Sequence, residues 1–316
     1  MMENDVHTMK VIIVGLGIQG TKRKHIAGSD VVATVDPVVA EADYQSIEAV
    51  PTADYNAALL CIPDEPKVGL IRYLLNQKKN VLVEKPLISE NQSDLEDIAA
   101  LVKRQGVVCY TAYNHRFEPH FMRLKETVTS GILGKVYRAR FFYGNGTARD
   151  VRNSPWRDKG AGVLPDLGSH LLDAILYVFG GWPDDLKIWS AQRFENKAFD
   201  HVICGGTSPI HIELEMSLLS WRNHFVAEVY GENGSAHIDS LCKWGPSTFT
   251  LRKRVLPSGR PAEESITLVQ ADSTWKMEYE HFKKLCAHGE GSNVGNDLLI
   301  NKTLHILSSE ASGEKL

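Results

Sequence analysis

The sequence lacks an excess of either charge and has no long apolar run. Its 35 Lys and Arg against 39 Asp and Glu leave a net charge of -4 over 316 residues, so we expect no broad basic surface and no nucleic-acid partner. No segment reaches the roughly 18 apolar residues that span a bilayer, because acidic residues such as Asp54 and Asp173 interrupt the apolar stretches. We therefore expect no membrane anchor.

Paired cysteines and clustered metal ligands are also missing. The five cysteines are widely spaced without a Cys-x-x-Cys pair, a pattern typical of reduced thiols, and we expect a cytoplasmic protein. The 12 histidines include no His-x-x-x-His pair, so we predict no metal site. Residues 1–9 are polar and lack the apolar segment of a secretory signal, and they are predicted to be a disordered lead-in.

The chain does have enough apolar sequence, 43% of its residues, for a sizeable core. Up to about residue 118, strand-like apolar runs alternate with helical segments, which predicts a doubly wound parallel α/β sheet over 10–118. Beyond it, short segments such as 210–217 alternate apolar and polar residues. This pattern predicts an α+β domain with an open, mainly antiparallel sheet over 119–316. Its last helix, about 296–309, can pack back on the first domain.

A glycine turn follows the first predicted strand and opens a helix. Gly15, Gly17 and Gly20 have the Gly-x-Gly-x-x-Gly spacing of dinucleotide-binding turns. In such a turn the first glycine allows the bend, the second lets the backbone approach a pyrophosphate, and the third lets helix and strand pack closely. The same glycines would also suit a purely structural turn. We predict a cofactor site that includes Ile18 and Gln19.

Asp36 ends the second predicted strand, about 20 residues after the first glycine. A carboxylate at this position accepts hydrogen bonds from the adenosine ribose and repels a 2′-phosphate, so NAD is favoured over NADP. Alternatively, Asp36 caps the turn that begins at Pro37. A methyltransferase is disfavoured because it would use a different glycine spacing.

Glu84-Lys85-Pro86 closes the fourth predicted strand, at the edge of the sheet where open α/β folds bind ligands. An ammonium group there would face the crevice and polarise a substrate oxygen. Pro86 would also be able to hold the preceding peptide bond in cis. The alternative is an ordinary surface Lys-Pro at the exit of a strand.

Asp166 and His170 lie four residues apart where an apolar helix begins. If that helix starts by Leu167, the two side chains share one face of its first turn. A histidine near a helix N-terminus is kept neutral by the dipole, which suits a general base. Asp166 would then orient the ring or bind the substrate. The alternatives are an N-cap role for Asp166 and a buried histidine bonded to the backbone for His170.

A long polar segment, 143–157, precedes this helix, and loops of that length are often functional. Arg149, Arg152 and Arg157 would be able to bind a carboxylate, a phosphate or the diphosphate of a nucleotide sugar. Trp156 would stack on a sugar ring. A solvated loop anchored by a buried Trp156 is the alternative.

Together these motifs resemble the glucose-fructose oxidoreductase/inositol dehydrogenase (Gfo/Idh/MocA) family of NAD(P)-dependent oxidoreductases. The resemblance covers the chain from about residue 10 to the last helix. It rests on the glycine turn at 15–20, Pro63, Glu84-Lys85-Pro86, Tyr113-Asn114-His115-Arg116-Phe117, the turn at 131–135, and Asp166-Leu167-Gly168-Ser169-His170.

The resemblance implies a Rossmann domain followed by an α+β domain whose open sheet forms a homodimer or homotetramer. It also implies hydride transfer between nicotinamide and a carbinol of a sugar, nucleotide sugar or cyclitol. The predicted site comprises Lys85, Asp166 and His170 for catalysis; Gly15, Gly17, Ile18, Gln19, Gly20, Asp36, Pro63, Glu84, Lys85 and Asn114 for NAD; and Tyr113, His115, Arg149, Trp156 and Arg157 for substrate. Though distant in sequence, Lys85 and His170 are expected to converge on one carbinol.

The chain departs from the family pattern at two places. After the third strand the family usually has Pro-Asn and then a histidine three residues past the Asn, whereas this chain has Lys67 at that position. Because of this departure, the sequence does not define the detailed contacts between this loop and the cofactor. The second is mild: Ala161 stands where a glycine is common.

Two other functions are compatible with the same motifs. One is an NAD-dependent glycoside hydrolase of the same fold, which cleaves by transient oxidation. The other is a non-catalytic sensor that binds dinucleotide and a partner protein. The presence of Lys85, Asp166 and His170 together argues against the sensor.

Overall fold

The computed structural model describes residues 9–154 and 157–313. The α-helices in these ranges are α1 (Ile18–Ala27), α2 (Asp64–Asn76), α3 (Gln92–Gln105), α4 (Pro119–Thr129), α5 (Ala148–Arg152), α6 (Ser169–Phe179), α7 (Thr274–His288) and α8 (Val294–Ser312). The strands are β1 (Val11–Val14), β2 (Val31–Val35), β3 (Ala57–Leu60), β4 (Asn80–Glu84), β5 (Cys109–Ala112), β6 (Val136–Gly144), β7 (Lys187–Gln192), β8 (His201–Gly206), β9 (His211–Ser217), β10 (His224–Gly231), β11 (Gly234–Asp239), β12 (Ser247–Lys253) and β13 (Ala262–Leu268). Within the described ranges, no helix combines the length and apolar character needed to cross a membrane.

The chain folds as two compact units. The first contains the residues up to Tyr113 together with Trp275–Asn301, and the second contains Asn114–Thr274 together with the residues from Lys302 onward. The predicted domains, 10–118 and 119–316, differ from these units in α8, whose residues up to Asn301 cluster with the first unit, and in α7. Nearly all of that helix clusters with the first unit, because its Tyr279 and Phe282 pack into that unit's core.

The first unit is built on a parallel sheet in the order β2-β1-β3-β4-β5. Successive residues of β1 enter two different cores: Ile12 and Val14 pack on one face, Val11 and Ile13 on the other. A strand buried on both faces must be apolar throughout, which explains the continuous runs in the sequence. The predicted doubly wound sheet is confirmed, and the carboxyl ends of its strands share one edge.

The second unit contains an eight-stranded sheet in the order β13-β12-β11-β10-β6-β9-β8-β7. Its neighbouring strands are antiparallel except for the β6–β9 pair, which is parallel. Alternate residues of β9 are buried, as predicted. The intervening side chains are less buried, and there Arg140 pairs with Glu213 at 2.9 Å and Glu215 at 2.6 Å. The predicted open, mainly antiparallel sheet is confirmed.

The polar segment at 143–157 is not one continuous loop. Ala148–Arg152 form α5, whose Ala148 and Val151 are buried. The prediction missed this helix because one short turn carries too few apolar residues to show a helical period. Trp156 lies outside the described residues.

Candidate active site

The glycine turn has two positions where neighbouring protein atoms leave no room for a side chain and one position where a side chain would fit. At Gly15 the φ angle is +89°, and a Cβ atom would lie 2.4 Å from the carbonyl oxygen of Cys61. A Cβ atom at Gly20 would lie 1.7 Å from the carbonyl oxygen of Gly15. A Cβ atom at Gly17 would meet no atom within 4 Å. Packing therefore explains two of the glycines and leaves the space beside Gly17 for a ligand.

The start of α1 has the properties of an anion site. Gly17 is the N-cap residue of α1, and no side chain caps its first turn. Uncapped N–H groups and the positive end of the helix dipole favour a phosphate group at such a position. Ile18 is 88% exposed and Gln19 is also exposed. The residues present thus fit the pyrophosphate of a dinucleotide.

Alanine substitutions should separate the two kinds of glycine. We expect Gly20→Ala to lower the free energy of unfolding by about 3 kcal/mol or more, because the added carbon overlaps backbone that cannot move away freely. Gly17→Ala should leave stability within about 0.5 kcal/mol, since φ is -65° there, but should weaken NAD binding about tenfold or more. Thermal unfolding and a fluorescence titration with NAD measure the two effects. Unchanged NAD affinity in Gly17→Ala would remove the ligand explanation for that glycine.

Asp36 fixes the glycine turn and keeps its charge. One carboxylate oxygen accepts a hydrogen bond from the Leu16 N–H at 2.8 Å. The other accepts bonds from the N–H groups of Val38 at 2.9 Å and Val39 at 3.0 Å, so the turn-cap alternative is correct for that oxygen. The Leu16 bond is the main reason why the pKa of Asp36 is lowered. The carboxylate is therefore ionised at neutral pH, and the oxygen facing Leu16 retains acceptor capacity for a ribose hydroxyl.

Lys85 follows β4 at the carboxyl edge of the parallel sheet. It is partly buried, and the Lys85–Pro86 bond is cis, as the sequence suggested. Lys67, for which the sequence predicts no role, is 2% exposed. It donates hydrogen bonds to the carbonyl oxygens of Glu84 at 2.7 Å and Pro86 at 2.8 Å. The only sequence signal for Lys67 was its place in the motif that departs from the family pattern.

Arg23 ties the glycine-turn helix to the end of β4. Its Nε donates to Glu84 at 2.7 Å and its Nη2 to Glu278 at 2.6 Å, and the guanidinium lies 4.2 Å from the ring centre of Trp275. Burial alone would lower the pKa of Arg23, but the two carboxylates raise it. The basic run at 22–24 would ordinarily be interpreted as a solvated helix face. That interpretation is wrong for Arg23, which is 1% exposed.

Asp166 lies in a single π-helical turn, Leu164–Gly168, that leads directly into α6. Such turns occur often at functional sites. The helical path therefore begins before Asp166, and the N-cap alternative for this residue is wrong. Its carboxylate is 3.5 Å from the guanidinium of Arg157, which joins two of the predicted site residues.

His170 is held in a stack of aromatic rings in the second unit. Its ring is parallel to that of His115, with centroids 4.2 Å apart and an angle of 17°. Tyr143 meets His170 edge-on at 5.6 Å. His115 also has a polar contact: the ammonium of Lys243 lies 2.7 Å from its Nε2. A lysine ammonium can only donate, so Nε2 of His115 accepts this hydrogen bond. The ring proton of the neutral His115 is therefore on Nδ1. No motif in the sequence pointed to Lys243.

Two buried carboxylates fix the segment that carries His115. Asp173 of α6 receives a bidentate pair from Arg116, at 2.8 and 2.5 Å. Burial raises the pKa of Asp173 although Arg116 opposes the shift. Glu118 accepts hydrogen bonds from the backbone N–H groups of Cys242 and Lys243. The His115 segment is thereby joined both to the helix of His170 and to the turn of Lys243.

The remaining predicted residues occupy varied environments. Tyr113 and His115 are buried, with 0% and 2% exposed, and Asn114 donates to the hydroxyl of Thr274 at 2.9 Å. Pro63 is exposed immediately before α2. Arg149 is exposed, and it forms no ion pair within the described part of the chain. The binding roles of these residues stay predictions.

Comparison with known proteins places the geometry in context. Myo-inositol 2-dehydrogenase of Thermotoga maritima is 30% identical over 135 residues, which are 42% of this chain and 39% of that protein. An uncharacterised oxidoreductase of Bacillus subtilis, YrbE, is 25% identical over 209 residues, 63% of this chain and 59% of that protein. The chain thus matches about half the length of these curated relatives. A structure of levoglucosan dehydrogenase with NADH superposes with a TM-score of 0.82 at 15% identity, covering 97% of this chain and 98% of that one.

Two family models match the two halves of the chain in order. Residues 9–113 match the model described as "Oxidoreductase family, NAD-binding Rossmann fold", which contains the glycine turn, Asp36 and Lys85. Residues 121–237 match the "GFO/IDH/MocA C-terminal domain", which contains Asp166 and His170. Since the two models belong to one family and together match more than half of its length, the chain is a member of the GFO/IDH/MocA family of oxidoreductases.

Proposed function

We propose that this protein is an NAD-dependent dehydrogenase that acts on a carbinol of a sugar, nucleotide sugar or cyclitol. The observation that carries the proposal is the position of Lys85 directly after β4, at the carboxyl edge of the parallel sheet. The glycine turn after β1 and Lys85 after β4 lie at the same edge with β3 between them, a separation of about 10 Å at the usual strand spacing. A dinucleotide bound at the turn would extend along this edge. The inositol and levoglucosan dehydrogenases among the similar proteins support a polyol substrate.

The chain's own residues have distinct tasks toward the cofactor. Backbone N–H groups at Gly17–Gln19 would hold the pyrophosphate, and the remaining acceptor site of Asp36 would hold a ribose hydroxyl. When bound, NAD would accept the hydride that leaves the carbinol carbon. The fixed negative charge of Asp36 disfavours a 2′-phosphate, which makes NAD the preferred cofactor.

Lys85 and His170 act on the reacting hydroxyl. The ammonium of Lys85 donates a hydrogen bond to the hydroxyl oxygen and stabilises the negative charge that develops as the O–H bond breaks. Nε2 or Nδ1 of His170 accepts the hydroxyl proton, so that loss of the proton accompanies cleavage of the C–H bond. Asp166, fixed by Arg157, binds a neighbouring hydroxyl or orients the imidazole.

The function is tested by a thermal-shift panel followed by a turnover assay. NAD should raise the unfolding temperature more than NADP, and a polyol or sugar that raises it further identifies the substrate. That compound should then produce reduced nicotinamide, followed by its absorbance. Release of an aryl leaving group from a glycoside without net reduced nicotinamide would select the glycoside hydrolase instead. Dinucleotide binding with no turnover of any compound, unaffected by changes at Lys85 and His170, would select the sensor.

Removal of one charge should shift the choice of cofactor. We expect Asp36→Asn to raise the ratio of NADP affinity to NAD affinity by about tenfold, equivalent to about 1.4 kcal/mol, because the amide no longer repels phosphate. Its one oxygen still accepts from the N–H groups of Val38 and Val39, whereas the bond from the Leu16 N–H is lost. Asp43→Asn is the matched control, since Asp43 also accepts hydrogen bonds from the backbone and hydroxyl of Thr34 in β2. Equal ratios in both variants would show that Asp36 does not select NAD.

A further inference from the structure

We propose that Lys67 is a positioning residue for Lys85, holding the turn that carries it from inside the protein. The proposal rests on the proposed function, since it assigns Lys67 a task in the reaction that Lys85 assists. Lys67 lies in the first turns of α2 and Lys85 follows β4, so both belong to the first unit. The connection between them is made through the backbone on either side of Lys85.

The ammonium of Lys67 has three N–H donors, and three partner oxygens accept hydrogen bonds from it. Its Nζ lies 2.7 Å from the carbonyl oxygen of Glu84, 2.8 Å from that of Pro86 and 2.7 Å from the carboxylate of Asp64. The two carbonyl groups immediately precede and follow Lys85 in the chain. A single cation therefore fixes both ends of the segment from which the Lys85 side chain extends.

Lys67 is a buried cation, and its burial indicates a role beyond packing. Lys67 is 2% exposed, whereas Asp64, the carboxylate that accepts a hydrogen bond from it, is 47% exposed. Burial lowers the pKa of Lys67, opposed by Asp64 and Glu84, and Lys85 contributes a further lowering through like-charge repulsion. An apolar side chain of similar volume would avoid the desolvation cost. What it would not supply is hydrogen bonding to the two carbonyl groups beside Lys85.

The family pattern usually has a histidine at the position of Lys67, and this histidine allows a graded test. A neutral histidine has one N–H donor and a protonated one has two, so neither reproduces the three bonds of Lys67. Arginine has enough donors but a planar geometry. We therefore expect the order of activity to be wild type, then Lys67→Arg and Lys67→His, then Lys67→Met.

The kinetic experiment measures Lys67→Met in two backgrounds. In the otherwise wild-type enzyme it should lower kcat about 10–100-fold, the usual consequence of loosening a group that orients a reacting side chain, and change the KM for NAD less than threefold. In Lys85→Met enzyme the same substitution should change the residual rate less than threefold, because a residue that acts through Lys85 has nothing left to position. Equal losses in both backgrounds, or an unchanged kcat, would overturn the proposal.

Lys79→Met is the matched control. Lys79 also donates to two backbone carbonyl groups, those of Thr52 at 2.5 Å and Tyr55 at 2.8 Å, but it has no contact with the Lys85 turn. Its loss should reduce stability while leaving kcat within about twofold. A kcat loss in Lys79→Met equal to that in Lys67→Met would assign the effect to general destabilisation and overturn the positioning role.

Hydrogen exchange tests the same inference without turnover. Amide exchange in a peptide covering residues 84–88 should accelerate at least about tenfold in Lys67→Met and Lys67→His, and remain unchanged in Lys79→Met and Lys85→Met. Unchanged exchange in Lys67→Met would overturn the proposal. If the wild-type protein binds NAD but oxidises no substrate, the proposed function fails, and the exchange result still decides whether Lys67 holds this turn.

Discussion

Replacement of Lys85 by methionine should lower kcat by about 10²–10³, the loss that follows removal of one donor to a developing negative charge. Methionine keeps the length of the side chain and removes its charge and donors. NAD affinity should change less than threefold, since the pyrophosphate and ribose contacts proposed for this site lie at Gly17–Gln19 and Asp36. Steady-state turnover and a direct NAD titration measure the two quantities.

The control for this variant is Lys103→Met, which removes the same charge from an exposed position near the end of α3. It should retain wild-type kcat and the same NAD affinity. If Lys85→Met were as active as this control, Lys85 would be an ordinary surface residue at a strand exit. Intact NAD binding with lost turnover would agree with the assigned role.

The second large effect concerns His170. We expect His170→Asn to lower kcat by about 10²–10⁴, the range associated with loss of a general base. Oxidation by the wild-type enzyme should slow as the pH falls, because a protonated imidazole cannot accept the hydroxyl proton, and this dependence should be lost in the variant. A pH profile of kcat measures it, with His211→Asn in β9 as the control.

Combining the two substitutions tests whether Lys85 and His170 serve one reaction step. Groups that act on the same reacting atoms show strongly non-additive losses. The double variant should therefore be little slower than the slower single variant. Fully multiplicative losses would indicate that the two residues act in separate steps.

The His170→Asn substitution should also affect stability, because His170 is part of a stack of aromatic rings. Loss of the parallel contact with His115 removes an aromatic interaction worth about 0.5–1.5 kcal/mol, so the unfolding temperature should fall slightly. Because kcat is measured on folded protein well below that temperature, the catalytic loss remains separable. The His115 ring still accepts the hydrogen bond from Lys243 in the variant.

The glycine turn and the sheet order show which features follow from short stretches of sequence. Gly15 and Gly20 are required by close contacts with Cys61, just after β3, and within the turn itself, so their spacing is visible in a few residues. The buried parallel strands appear as continuous apolar runs for the same reason. Little in the sequence indicates β7, because half of its residues are exposed and they show little of the alternation that indicates a half-buried strand.

Local sequence therefore determined the two types of sheet, the dinucleotide turn and the positions of Lys85 and His170, since backbone conformation and burial period depend on neighbouring residues. Only the tertiary structure decided what surrounds the charged groups. Arg23 finds its carboxylates 61 and 255 residues away, Lys67 finds its carbonyl groups 17 and 19 residues away, and His115 meets Lys243 across 128 residues. A buried charge must be compensated by whichever groups the fold brings within hydrogen-bond distance, and no local pattern specifies them.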